Sequence, residues 1–175
     1  MIFTAFLEKV ENEWDLEMTD SIIRDANDPH DGAYNSVDYY NHTLLVNLVL
    51  SLHKKTGIPI RDLLLSFGRT LFGQLAEAHS YLIENLNSSF ELLENIEFVI
   101  HTEVKKLYPK ANPPTFDFER IAVNQIKMLY KSHRSMGDVA EGLMLGCADF
   151  FDENIQIERL APVDGKEVFL LTQFD

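Results

Sequence analysis

The sequence predicts an α+β fold: a helical N-terminal half packed on a C-terminal half that carries a four-stranded antiparallel sheet and further helices. Three observations predict it. From Phe3 to about Leu107 apolar residues recur at helical spacing. At Thr115 the period changes to two, the signature of a strand with one buried face. The alternating segments then come in two pairs, each joined by turn residues, at Ala122-Val123-Asn124 and at Pro162-Val163-Asp164-Gly165. A length of 175 residues with 46% hydrophobic side chains suits a single domain with one real core. Its helical subdomain is expected to cover about residues 1–87 and its α+β subdomain about 88–175.

Each element follows from local signals. Phe3, Phe6, Leu7 and Val10 lie on one face of a helix over residues 1–12. A second helix runs from about Trp14 to Ala26, before the turn-rich Asn27-Asp28-Pro29-His30-Asp31-Gly32. A third runs from about Val37 to Thr56 and stops at Gly57, a natural residue just past a helix end. Pro59 opens a fourth, which carries Leu63, Leu64, Phe67, Leu71, Phe72 and Leu75. Ser80 to Asn87 reads as a short helix or turn. Ser88 and Glu91 form a capping box for a helix reaching about Leu107. Phe90, Leu93, Phe98, His101 and Val104 are placed on its apolar stripe, and Tyr108-Pro109 ends it. After Pro113-Pro114, strands are expected at Thr115–Ile121 and Gln125–Tyr130. A helix opened by Ser135 and Asp138 carries Val139, Leu143, Met144, Phe150 and Phe151. Gly142 and Gly146 stand one turn apart on it and allow close approach of a neighbour. Ile155–Leu160 and Glu167–Phe174 form the last hairpin.

The totals exclude several classes. A formal net charge of −13 argues against nucleic acid or an anionic membrane as the main partner. The single cysteine, Cys147, supports neither a disulfide framework nor a cysteine-based zinc site and fits a reducing cytoplasm. The apolar N-terminus is short and runs into Glu8-Lys9, unlike a secretion signal. No apolar run approaches the roughly 18–20 residues of a membrane span. Glycine-rich phosphate loops, nucleophile elbows and His-Glu-x-x-His runs are missing too, and no carboxylate pair inside an apolar run suggests acid–base catalysis.

Two features remain. Tyr130, Ser132 and Arg134 alternate along the end of a strand, so their side chains are expected on one face, about 6–7 Å apart. Two hydroxyls and a guanidinium in a row suit one or two anionic groups, or simply a solvated strand face. His101 lies on an apolar helical face, with no acidic orienter read beside it there. It is either a structural core histidine or, because an imidazole projecting into an apolar pocket is what haem iron needs, an axial ligand.

The order of these pieces resembles the haem nitric oxide/oxygen-binding (H-NOX) family, the haem domain type of soluble guanylate cyclase. The resemblance rests on a helix with His101, Tyr108-Pro109, Pro113-Pro114, a hairpin, Tyr130-x-Ser132-x-Arg134 and an apolar glycine-containing helix. It extends over essentially the whole chain, including Phe67-Gly68-Arg69. It implies haem b held between the two halves, with His101 on the iron. Tyr130, Ser132 and Arg134 would take the propionates, and Pro114 would press on the macrocycle. Oxygen-binding members carry a tyrosine five residues beyond the motif's arginine, where this chain has Val139. Phe6, Leu71, Leu143 and Ile2 are expected around it, all apolar. The resemblance therefore implies a bacterial stand-alone sensor, not an enzyme, that binds NO and CO and forms no stable O₂ complex. NO would weaken the iron–His101 bond, and a shift between the halves would reach a separate partner, such as a histidine kinase or a cyclic-dinucleotide enzyme. A second resemblance stays open. The C-terminal half, with its Gly-x-x-x-Gly helix ending in Phe-Phe, is similar to 4-vinyl-reductase-type domains, which implies a small-molecule-binding module without haem.

Overall fold

The computed structural model describes residues 1–35, 38–107 and 112–174. Helices α1 (Ile2–Glu13), α2 (Leu16–Asp25), α3 (His42–Thr56) and α4 (Ile60–Ala78) build the N-terminal half. Their ends follow the local chemistry. Asp15 caps α2 by accepting the Met18 N–H at 2.7 Å, and Asn41 caps α3. Gly57, at φ +73°, ends α3 in the left-handed conformation that glycine adopts without strain. A short 3₁₀ turn at Ser80–Leu82 leads to α5 (Ser89–Asn95), capped by Ser88 as its spacing with Glu91 predicts.

The C-terminal half holds β1 (Thr115–Ala122), β2 (Gln125–Lys131), α7 (Gly137–Phe150), β3 (Asn154–Val163) and β4 (Lys166–Phe174). Its four strands pair antiparallel in the order β1-β2-β4-β3. Both expected hairpins form, and Asp164-Gly165, at φ +50° and +73°, turns the second. The inward face of the sheet is read from the register. Phe116 faces Tyr130 across β1 and β2, and Met128 and Ile126 face Phe169 and Leu171 across β2 and β4. All six are buried. The architecture is the α+β fold that the sequence predicts.

Instead of one core there are two apolar clusters, and α7 lies between them. Ala140, Met144, Cys147 and Ala148 face the sheet, with Phe90, Leu93 and the strand residues. Val139 packs on the other side with Phe6, Leu48, Leu52, Phe67 and Leu71. α4 and α7 meet through glycine. A methyl group on Gly68 would come within 2.3 Å of the Val139 carbonyl oxygen, and one on Gly142 within 2.2 Å of the Leu65 carbonyl oxygen. The close approach expected of Gly142 and Gly146 is thus made by α4. Ion pairs surround this contact. Arg61 of α4 and Arg159 of β3 both donate to the buried Glu141 carboxylate, at 2.9 and 2.7 Å, and Arg69 grips Asp149 through two nitrogens. No helix among the described residues is long and apolar enough to cross a membrane.

Several expectations need correction. The helix expected from Ser88 to Leu107 is three pieces: α5, a π-helix at Ile96–His101, and α6 (Thr102–Leu107). The wider π turn swings Phe98 off the apolar stripe, and it is 87% exposed. The strand expected to carry Tyr130, Ser132 and Arg134 on one face stops at Lys131. Ser132 lies past its end because its hydroxyl accepts the Arg134 N–H at 3.1 Å, a local turn that competes with the sheet ladder. α3 begins at His42, and residues 38–41 before it are not helical. The Tyr108-Pro109 helix stop and the Val37 start fall outside the described residues.

Candidate functional site

His101 is the last residue of the π-helix and is buried. A π turn inside a helix is rare and often marks a functional position. The Thr102 hydroxyl donates to the Glu97 carbonyl five residues back, which supports the widened turn. The imidazole is not without an acidic neighbour, as the apolar stripe had suggested. Glu97 stands one turn earlier, and its Oε1 is 3.0 Å from His101 Nδ1. The same oxygen accepts the Phe116 N–H of β1 at 2.9 Å. Burial lowers the His101 pKa below its usual value, and the Glu97 charge opposes that only in part. A ring held neutral, with a carboxylate at Nδ1, keeps its proton on Nδ1 and leaves the Nε2 lone pair free to coordinate.

Phe116 links His101 to the motif on β2. Its ring centroid is 5.9 Å from that of His101 and 5.4 Å from that of Tyr130. Tyr130 is buried on the inward face of the sheet, and burial raises its pKa, so the phenol remains a donor at neutral pH. Ser132 and Arg134 follow in the turn that leads to α7, where Ser135 takes a left-handed backbone at φ +49°. Arg134 is half-buried. Among the described residues it is the one lysine or arginine withdrawn from full exposure that has no carboxylate partner, since Lys9, Lys127 and Lys166 pair with Glu13, Glu119 and Asp117. In a chain with 28 acidic residues, an unpaired half-buried guanidinium is suited to an anion from outside the chain.

Of the other predicted residues, Phe6, Leu71 and Val139 lie together in the helical cluster, with Leu143 packed against them. Ile2 is 40% exposed and lies outside the cluster. Pro114, half-buried, immediately precedes β1. The His133 ring lies 6.3 Å from that of His42, the first residue of α3. Two surface clefts, of about 480 and 350 Å³, are lined by none of His101, Tyr130, Ser132 and Arg134. No group of three or more His, Cys, Asp or Glu that could chelate a bare ion gathers among the described residues. A buried imidazole, a guanidinium without a carboxylate partner and two hydroxyls would instead suit a group that brings its own negative charge and most of its own metal ligands.

Glu97 and Phe116 went unread in the sequence. The Glu97–His101 spacing of four was visible, and it is the signal that could have found the pair.

Comparisons with known proteins bear on the family and the fold. The sequence model of the Haem-NO-binding family matches residues 1–159. The chain superposes on the unliganded Fe(II) H-NOX protein of K. algicida with a TM-score of 0.91 and 32% identity, covering 99% of this chain and 95% of that one. Against the S. oneidensis H-NOX protein in its Fe(II)NO state the TM-score is 0.92 at 26% identity, with 99% and 98% covered. Against the Shewanella woodyi H-NOX bound to IWP-051 in its Fe(II)CO state it is 0.86 at 35% identity, with 99% and 93% covered. Among curated protein sequences none matches the chain.

Proposed function

The chain belongs to the Haem-NO-binding family, and from that premise we propose that it is a haem-based sensor of NO, with His101 as the proximal ligand and a distal pocket that does not stabilise O₂. The observation that carries the reading is the buried His101 with Glu97 on Nδ1, which leaves Nε2 for iron. These residues would suit haem b: His101 Nε2 would hold the iron, and Tyr130, Ser132 and Arg134 would take the propionates, Arg134 having no carboxylate partner among the described residues. Bound haem supplies an iron whose sixth position can take a diatomic gas. The chain's own residues decide which gas is held. Bound O₂ gathers negative charge and needs a hydrogen-bond donor, while NO and CO need far less. Val139, Leu143, Phe6 and Leu71 offer no donor from their side chains. Pro114 stands before β1, where its rigid ring is suited to press on the cofactor.

H-NOX domains are sensor modules that bind gases such as NO and CO and commonly signal to partner proteins. For this chain the response would be a shift between the two apolar clusters on either side of α7, passed to a separate protein such as a histidine kinase or a cyclic-dinucleotide enzyme. The buried free thiol of Cys147 fits a cytoplasmic setting.

The electronic absorption spectrum of the ferrous protein tests this reading. The expected result is a Soret band that shifts on addition of NO or CO and shows no stable oxy species in air. A stable oxy spectrum overturns the gas selectivity. A His101→Gly variant with unchanged axial coordination overturns the ligand assignment. A colourless protein carrying an organic molecule favours the 4-vinyl-reductase-like module. Val139→Tyr restores a donor at the distal position, and its ferrous form is expected to hold O₂ where the parent does not.

A further inference from the structure

We infer that Glu97 is a positioning residue for His101, one that sets how strongly the imidazole holds iron and therefore how readily NO can detach it. The inference rests on the sensor reading above and deepens it. Four observations carry it. Glu97 Oε1 lies 3.0 Å from His101 Nδ1 and so fixes both the tautomer and the ring plane. The carboxylate is itself held, because the same oxygen accepts the Phe116 N–H at 2.9 Å. That N–H belongs to β1, an edge strand, and would otherwise lack a ladder partner. Finally, both residues lie within a single π-helix, Ile96–His101, so one short turn carries the pair.

A carboxylate on Nδ1 pulls the N–H proton toward itself and gives the ring partial imidazolate character. Electron density at Nε2 rises, and its bond to iron strengthens. A neutral carbonyl in the same place would do this only weakly, because hydrogen bonds with a charged partner are about twice as strong. Glu97 thus biases the sensor toward keeping His101 on the iron and raises the amount of NO, or the time, needed for release. The shared oxygen adds a mechanical consequence. When His101 swings away, the carboxylate that also grips Phe116 is disturbed, so the first strand feels the loss of the bond directly.

Three proteins test this: the parent, Glu97→Gln and Glu97→Ala. Glu97→Gln keeps a carbonyl acceptor for both N–H groups, so its fold is expected to be unchanged, while the charge is gone. In the haem-free proteins, ¹⁵N NMR of the His101 ring is expected to show a proton confined to Nδ1 in the parent and spread over both nitrogens in Glu97→Ala. In the ferrous haem-loaded proteins, the iron–histidine stretching frequency measured by resonance Raman falls in the order parent, Glu97→Gln, Glu97→Ala. The fraction of the NO complex that retains His101 falls in the same order, and ligation weakens by about 10–100-fold in Glu97→Ala. Identical tautomers and identical iron–histidine bands in all three proteins overturn the inference and leave the sensor reading intact. A parent protein with haem but no iron–histidine band overturns the sensor reading's ligand assignment, and the inference falls with it.

Discussion

The contact between α4 and α7 and the segment that presents His101 hold their places by opposite means. At the first, two helices touch backbone to backbone. Gly68, Gly142 and Gly146 leave no room for a methyl group, and ion pairs from Arg61, Arg69 and Arg159 tie the rim. Small shape changes there are expensive because the neighbours are main-chain atoms. The second is broken into α5, a π-helix and α6, and leaves Phe98 largely exposed. α5 is anchored in the core by Phe90, Leu92 and Leu93, but the π-helix packs only its partly buried Ile96 and Ile100 there and is otherwise tied by a few polar contacts, chiefly Glu97 to His101 and to Phe116. A site that must let go of a ligand is suited to the second construction, and the frame that feels the change is suited to the first.

The largest effect that sharpens this contrast is expected from Gly142→Val. Its new carbon atoms would meet the Leu65 carbonyl oxygen, 2.2 Å from the Cβ position, and Gly68 Cα at 2.9 Å. Neither can rotate aside. Overpacking of this kind costs about 3 kcal/mol, and the better helix propensity of valine returns well under 1 kcal/mol. Urea unfolding of the purified variant measures the loss, and an unchanged midpoint would mean that the two helices are free to separate. Glu141→Ala comes next. The carboxylate is buried, but Arg61 and Arg159 reach water at their far sides. The loss is therefore below the 3–5 kcal/mol of a fully buried broken pair, at about 2 kcal/mol. The same unfolding curve reads it. A loss under about 0.5 kcal/mol would show the ion pairs to be ornament and the glycine contact to act alone.

Much of this frame was legible in the sequence because it is encoded locally. The spacing of Phe3, Phe6 and Val10, the Ser88–Glu91 box, Gly57 at a helix end and the two hairpin turns each report a short-range rule. Gly142 and Gly146 signalled a close approach, although only packing could reveal that the neighbour is α4. The proximal segment was legible in residue type and not in shape. His101 stood out, but a 3.6-residue period carried through Ile96–His101 put Phe98 inside and left Glu97 unread, since nothing in a local pattern announces a π turn. The motif after β2 failed similarly. Strand alternation was carried past Lys131 into Ser132 and Arg134, where a side-chain hydrogen bond had already ended the ladder.

The smallest expected effect is the one that most directly tests how the proximal segment is held. Phe98 lies between Glu97 and His101 in sequence, yet its ring is 87% exposed. If the π-helix is held by Ile96, Ile100 and its polar contacts without this ring, Phe98→Ser removes almost no buried area and shifts stability by no more than about 0.5 kcal/mol. Serine is also no worse than phenylalanine as a helix former, so the turn itself has no reason to change. The variant's urea midpoint and its His101 ring tautomer are both expected to match the parent. A loss of more than about 1 kcal/mol would mean that the ring is buried in solution against some part of the chain, and that the segment is packed on more than its Ile96 and Ile100 face. The contrast with the α4–α7 contact would then shrink to one of degree, and control of the imidazole would pass from the Glu97 carboxylate to ordinary apolar packing.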